Sequence, residues 1–481
     1  MVVEQRKARL KAREPQAVLP WVQVCPAAPY FVTDHGDTWT PIGQNDAITW
    51  PEFQGLYKRG DLATAEAYIK MLSEHGVTCL RLMLEYSQGA RHQFERPVGR
   101  FRPEMIQLWD DLFGLCEHYG LRILLTPFDT FWLWIKWKNH PYNKANGGPC
   151  AKRSGFLLCP DTRERIKARL RFAVERWGKS GALFAWDLWN EIHPSYAHDS
   201  AECFTPFIEE LSACVRTREL ELYGRSHPQT VSVFGPHMVL DKHIPESIFR
   251  HPSLDFASTH FYEEGTIDHP KNTVDAALST GRLMRDALAE LHDHRPFMDS
   301  EHGPIHTFKD HHRTLPEPFD DEYFRHIQWA HLCAGGAGGG MRWPNRHPHS
   351  LTPGMRKAQL GLARFLPVLD WKLFNRRNWN EEAQVDQPSV KVVACGAERQ
   401  ALVWMIRTDR INNHGMVRRD AEPLPTTISL PLPELGRYRV TAWDTLEGDA
   451  ITEFEVEGHG TRLVISTPPL VTDMAIAIRH A

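Results

Sequence analysis

The sequence predicts a (β/α)8 barrel, an α/β fold, followed by an antiparallel β-sandwich. Three observations carry this. Apolar strand-like runs alternate with amphipathic helical stretches up to about residue 367. Eight strand–helix units fit that span, and such alternation implies a parallel sheet with right-handed crossovers. From about residue 385 the texture changes to short β-rich runs separated by Gly, Pro and Asp.

Taken in order, PYFVTDHGDTWTPIGQNDAI (29–48) reads as a short hairpin followed by a strand ending near Gly43. DLATAEAYIKMLSEH (61–75) has apolar residues at helical spacing and stops at Gly76; VTCLRLML (77–84) is the next strand. PEMIQLWDDLFGLCEHY (103–119) is a helix opened by Pro103 and closed by Gly120, and LRILLTPF (121–128) a strand. A basic amphipathic helix over about 160–177 precedes the strand LFAWDLW (183–189). A helix over about 201–222, the strand TVSVFG (230–235), the short helix PESIFRH and the strand LDFASTHFY (254–262) follow. Next come a helix over about 272–293, the strand RPFMDSE (295–301) and the helix DDEYFRHIQWAHLC. AGGAGGGMRWP (334–344) is a Gly-rich eighth strand, and PGMRKAQLGLARFLP (353–367) closes with a helix. The alternative, an open doubly wound sheet, calls for a Gly-rich turn after the first strand, which GQNDAITW is not. VKVVACG, QALVWMIRT, TTISLPL, GRYRVTAWDT, ITEFEVEG, TRLVIST and MAIAIRH are the sandwich strands. The expected division is a flexible tail (1–14), a barrel (15–372) and a sandwich (373–481), the latter a packing partner for the barrel.

Of 481 residues, 42% are hydrophobic and 24% charged, with a formal net charge of −4. That balance points to neither nucleic acid nor an acidic membrane surface as partner. No run of about 18 apolar residues exists, so no membrane span is expected. The basic start MVVEQRKARLKAREPQ lacks the apolar segment of a secretory signal. Nine cysteines without CxxC spacing suit a reduced chain. A cytoplasmic location is expected, or a secreted one if a leader has been removed. Cys150 and Cys159 flank a loop and are open to pairing, with free thiols expected. Trp counts 16, enough for core packing and for stacking on sugars.

FAWDLWNEIH (184–193) ends an apolar strand in an amide and a carboxylate, Asn190 and Glu191. RPFMDSE ends in Glu301. Barrel chemistry gathers where strand ends converge, so these two carboxyls would face one cavity. A pair about 5 Å apart is what a retaining glycosidase uses, one acid protonated and the other ionised. Mutual repulsion would help to raise the pKa of the proton holder. A single strand-end Glu would more often be a salt bridge or a helix cap.

DLWNEI together with DSEHG resembles clan A glycoside hydrolases, most of all family 5, over roughly residues 30–367. The resemblance implies Glu191 as acid/base, Glu301 as nucleophile and Asn190 as partner of the sugar 2-hydroxyl. It implies Arg81 beside the nucleophile, His260 and Tyr262 near both carboxyls, and Trp343 as the aromatic platform under the sugar. Family members often carry His after the third strand, where this chain has Phe128 and Asp129. Asp129 is either a hydroxyl contact or a turn residue. Trp132, Trp134 and Trp137 form either a sugar-stacking wall or a lid packed on the barrel, and Trp50 is a further candidate. No cofactor or metal is expected, and the substrate class is a β-linked glucoside, mannoside or galactoside, free or within an oligosaccharide. The alternatives are a metal-dependent hydrolase using His302, His306 and His260, and a noncatalytic carbohydrate-binding barrel. Oligomeric state is left open.

Overall fold

The computed structural model describes residues 18–58, 60–86, 92–235, 238, 243–262, 270–303, 315–344 and 351–481; the tail expected over 1–14 lies outside the described residues. Three short strands come first: β1 (Val22–Val24), β2 (Phe31–Thr33) and β3 (Thr38–Trp39), an antiparallel meander. Phe31 and Trp39 pack on Phe184, with centroids 4.9 and 4.5 Å away. The meander thus seals the end of the parallel strands opposite their C-terminal rim, burying aromatic surface that would otherwise face water.

β4 (Gly43–Asp46), β5 (Cys79–Met83), β6 (Arg122–Thr126), β7 (Leu183–Asp187) and β8 (Gln229–Thr230) hydrogen-bond in chain order as a parallel sheet. β9 (Ala257–Phe261) and β10 (Phe297–His302) form a parallel pair. Isolated parallel bridges join Phe234 to His260, and Arg342 to both Gln44 and His302. Every residue of β5, β6 and β7 is buried. Helices cover the outer face, so these strands read as apolar runs without alternation. The helices Pro103–Tyr119 and Pro160–Trp177 have the bounds expected from the sequence, and Gly120 caps the first at φ 78°.

Three expectations are corrected. The first parallel strand begins at Gly43 instead of ending there, because only glycine lets its backbone lie against Cys79; a Cβ would sit 1.7 Å from the Cys79 carbonyl oxygen. Of the run 230–235 only Thr230 lies in a strand, Gln229–Thr230, and Phe234 adds a single bridge. The Gly-rich eighth run is no regular strand; Arg342 alone bridges its neighbours. Gly338, at φ 123° and pressed on the Pro41 carbonyl, bends the backbone out of an extended course.

The described chain from Arg377 onward holds strands and no helix: β11 (Arg377–Asn378), β12 (Gln384–Val385), β13 (Val390–Gly396), β14 (Gln400–Arg407), β15 (Thr427–Leu430), β16 (Leu435–Asp444), β17 (Asp449–His459), β18 (Leu463–Ser466) and β19 (Asp473–His480). They form an antiparallel six-stranded sheet, β11-β13-β14-β19-β16-β17, and a three-stranded one, β12-β15-β18. β14 is buried on both faces. Leu402, Trp404 and Ile406 join the core of the parallel region, while Ala401, Val403 and Met405 pack with Ile428 and Ile465 of the smaller sheet. A buried polar staple reinforces the first contact. Asp473 takes bonds from Arg325 at 3.0 Å and from Trp404 at 3.1 Å, and Arg325 belongs to the helix Glu317–Ala334. Cys150, Cys159 and the other seven cysteines are free. No described helix is long and apolar enough to cross a membrane.

Candidate active site

Arg81, on β5 and 1% exposed, is the hub of the site. Its guanidinium donates to Glu301 Oε2 at 2.9 Å, Asn45 Oδ1 at 2.9 Å, Asp187 Oδ2 at 2.7 Å and Asn190 Oδ1 at 2.5 Å. A rigid planar donor set of this kind suits several oxygens at once. Arg81 thereby ties the ends of β4, β7 and β10 into one electrostatic unit.

Glu191 and Glu301 meet across that unit. His260 Nδ1 lies 2.8 Å from Glu191 Oε1 and 3.6 Å from Glu301 Oε2. One carboxylate oxygen of each glutamate and a ring nitrogen of His260 all lie within 4.8 Å of one another. Tyr262 donates to Glu301 Oε1 at 2.6 Å. Glu191 has φ 50°, a left-handed conformation that non-glycine residues seldom adopt, and it turns the chain at the end of the strand.

The two carboxyls sit in different surroundings. Burial pushes Glu191 from about 4.5 up to about 7, against the pull of Arg81 and with a smaller push from Asp187. Burial also raises Glu301, while His260, Arg81 and the Tyr262 hydroxyl pull it down and Glu191 pushes it up. The expected repulsion therefore acts on Glu301; Glu191 rises chiefly through desolvation. Burial lowers His260 to about 4, with Glu301, Asp187 and Asp299 pulling the other way.

Asn190 is clamped at both ends. Its oxygen accepts from Arg81 and its nitrogen donates to Asp129 at 2.5 Å. Asp129 also caps the helix Thr130–Ile135, accepting from the backbone of Phe131 and Trp132. Burial lifts Asp129 to about 6, against its bonds from Trp132 and Asn190. Of the two options for Asp129, the geometry contains the turn residue.

An aromatic wall lines one side. The Trp343 ring lies 5.3 Å from Trp50 and 6.2 Å from Tyr86, and Tyr86 lies 4.9 Å from Trp132. Trp50, Tyr86 and Trp132 are all buried, and Trp343 is the half-buried ring among the four. Trp134 stands apart: it is 55% exposed and its ring meets Phe131. Trp137 stacks against His140.

Among the described residues, two groups have the composition of metal ligands: Glu191–His260–Glu301 and Asp299–His302–His331. Of the rival trio His302, His306 and His260, only two members are among the described residues. His260 and His302 fall in separate groups, and His306 lies outside the described residues. The sequence reading also missed Asn45, Asp187 and Ser232, which hold Arg81 in place. A polar side chain inside an apolar strand, as in LFAWDLW, was the available signal for Asp187.

No family model matches the chain, and neither does any curated protein. Solved structures do. A glycoside hydrolase family 5 structure from Bacteroides vulgatus ATCC 8482 aligns over 97% of this chain and 95% of its own, with 12% identity and a TM-score of 0.59. This chain shares the fold of that structure. A family 5 mannosidase from Rhizomucor miehei, solved with mannosyl-fructose, covers 68% of this chain and 85% of its own at 15% identity and a TM-score of 0.51. An exo-β-1,4-mannosidase from Opitutaceae bacterium strain TAV5 covers 71% and 62% at 17% identity, with a TM-score of 0.51. The Bacteroides alignment spans the parallel region and the C-terminal sheets together, so the likeness extends to both parts of the chain.

Proposed function

We propose that this protein is a retaining β-glycoside hydrolase working by double displacement. The observation that carries the proposal is the spacing of Glu191 and Glu301, with oxygens within 4.8 Å. Retaining enzymes hold their carboxyls about 5–5.5 Å apart, whereas inverting ones leave roughly 6.5–9.5 Å for a water. Glu301, held by Arg81 and Tyr262, attacks the anomeric carbon. Glu191, raised to about 7, holds a proton near neutrality and gives it to the departing glycosidic oxygen. Glu191 then deprotonates the water that releases the sugar. The Asn190 amide keeps one N–H for the 2-hydroxyl, and Trp343 offers its face to the sugar. Trp134 serves further units if the substrate is long.

The same reading takes the parallel strands as a ring closed through Arg342, and β11–β19 as a sandwich that begins near residue 373 and braces the ring. The bridges of Arg342 to Gln44 and His302 support the first, and the core between the two antiparallel sheets supports the second. A cytoplasmic location belongs to the proposal on the strength of the nine free cysteines. A metal-dependent route through Glu191, His260 and Glu301 is the competing reading, since these three could also ligate a divalent cation.

A panel of 2-deoxy-2-fluoro β-glycosides tests the proposal. Two similar structures are named mannosidases, so β-mannosides lead the panel. Trapping followed by peptide mapping should place the sugar on Glu301. A label elsewhere refutes the nucleophile, and activity abolished by a chelator and restored by a divalent metal favours the metal route.

A further inference from the structure

Side chains alternate along a strand, so residues two apart share a face. On β10, Asp299 and Glu301 break this rule. Asp299 turns toward the helix Glu317–Ala334: its Oδ2 lies 2.8 Å from His331 Nε2 and 2.9 Å from His302 Nδ1, within a hydrogen bond of the latter. Glu301 turns the other way, to Arg81 and Tyr262. The pairing with β9 explains the switch. Asp299 is opposite Thr259 and Glu301 is opposite His260, which leaves Ser300 as an extra residue. This is a β-bulge, a device that re-aims the side chains beyond it. Without it the alternation would turn His302 to the cleft and Glu301 to the helix layer.

We infer that Asp299 is a positioning residue that pins this bulge and so aims the Glu301 carboxylate into the cleft, an inference that rests on the glycosidase reading. Asp299 Oδ1 accepts the backbone N–H of Glu301 at 3.3 Å and that of Phe261 at 3.1 Å, joining both strands across the irregularity. The two imidazoles hold Oδ2, so the carboxylate does not rotate away. Ser300 is tied down as well: its hydroxyl bonds Ser258 at 2.5 Å, and its carbonyl accepts from Asn45 at 2.9 Å. Asp299 is 1% exposed; its direct hydrogen bond to the catalytic pair is the one from the Glu301 backbone N–H, and its charge also pushes the pKa values of His260 and Tyr262 upward.

The test compares Asp299→Ala and Asp299→Asn with wild type. Turnover is expressed per site titrated with the fluoroglycoside, so unfolded molecules do not count. Asp299→Ala should lose about 100-fold in kcat with KM little changed, the scale of a catalytic group displaced by about 1 Å. Asp299→Asn, whose Oδ1 can accept the same two N–H groups, should stay within about tenfold of wild type. A purely structural role would lower the titratable fraction and leave kcat per site unchanged, which overturns the inference. A crystal structure of Asp299→Ala reads the geometry without activity: Glu301 should lose its bonds to Arg81 and Tyr262, and their persistence also overturns it. If wild type cleaves no glycoside of the panel, the glycosidase reading falls and that structure alone decides the bulge. If Asp299→Ala does not fold, His331→Leu frees one side of the carboxylate and carries the same readouts, with an expected loss of about tenfold.

Discussion

Glu191→Gln should make the folded protein more stable at alkaline pH while it removes activity. Glutamine is close to isosteric with protonated glutamate, and its oxygen can still meet His260 Nδ1, which lies 2.8 Å from Glu191 Oε1. In the folded state Glu191 sits at about 7 against an ordinary 4.5. A carboxyl raised on folding contributes stability below its unfolded pKa, and that contribution is lost as pH rises through the folded value. A shift of this size corresponds to a ceiling of roughly 3 kcal/mol. The Glu191 side chain is 21% exposed, which lets water screen part of the penalty, so about 2 kcal/mol is the expected gain. The assay is urea unfolding of wild type and variant at about pH 4 and about pH 8.5, bracketing the window. The curves should nearly coincide at the lower pH and separate at the higher, with the glutamine form more stable. Hydrolysis of alkyl glycosides should fall by about 10²–10⁴-fold, the usual worth of a general acid. A variant no more stable than wild type at alkaline pH, or a gap equal at both pH values, would refute the placement of a desolvated acid at Glu191.

Arg81→Met leaves Asp187 and Glu301 buried without their counter-charge and should cost about 3–5 kcal/mol in denaturant unfolding. Arg81 is among the groups pulling Glu301 down, so in any folded remainder the acidic limb of the pH–rate profile should move to higher pH. Asp129→Ala releases the Asn190 amide and uncaps Thr130–Ile135; kcat/KM should drop about 10–100-fold, while unfolding shows a loss of only about 1 kcal/mol. Asp473→Ala strands Arg325 between the parallel region and the C-terminal sheets. It should lower the melting temperature through a loss of about 3–5 kcal/mol and leave KM unchanged in the cold. A shifted KM would show that the junction reaches the active site.

The elements legible from sequence were those with chemical punctuation. Pro103 with Gly120, and Pro160 ahead of a long amphipathic run, mark helix ends by φ restriction and missing donors, and the helices run as expected. Apolar runs were a poorer guide to strand length, because burial and extension are different properties. The TVSV of TVSVFG is buried, yet only Thr230 of the run belongs to a regular strand. AGGAGGGMRWP is mostly buried because its small residues pack against helices, and Gly335, Gly338 and Gly340 take positive φ values that no strand uses. The candidate site was legible at strand ends, where Glu191, Glu301, Asn190, Arg81, His260 and Tyr262 converge. The third loop was not. TFWLWI forms one short helix whose geometry buries Trp132 and exposes Trp134, and three tryptophans in a row of candidates do not reveal which faces outward.

What no residue pattern disclosed is how the two acids are aimed. Alternation along LFAWDLWNE and FMDSEH assigns side chains to faces only while the backbone stays regular. Both glutamates sit where it does not, Glu191 at a positive φ and Glu301 just past a bulge. In each case the backbone N–H of the glutamate bonds a neighbouring side chain: that of Glu191 reaches Ser232 Oγ at 3.3 Å, and that of Glu301 reaches Asp299 Oδ1 at 3.3 Å. Ser232 in turn donates to Asp187, which holds Arg81. An irregular backbone conformation costs about 1–3 kcal/mol and persists only where its surroundings over-determine it. The buried polar residues around the cleft therefore have a second task beside satisfying Arg81: they fix two local departures from strand geometry. Those departures bring one oxygen of each acid within 4.8 Å of the other.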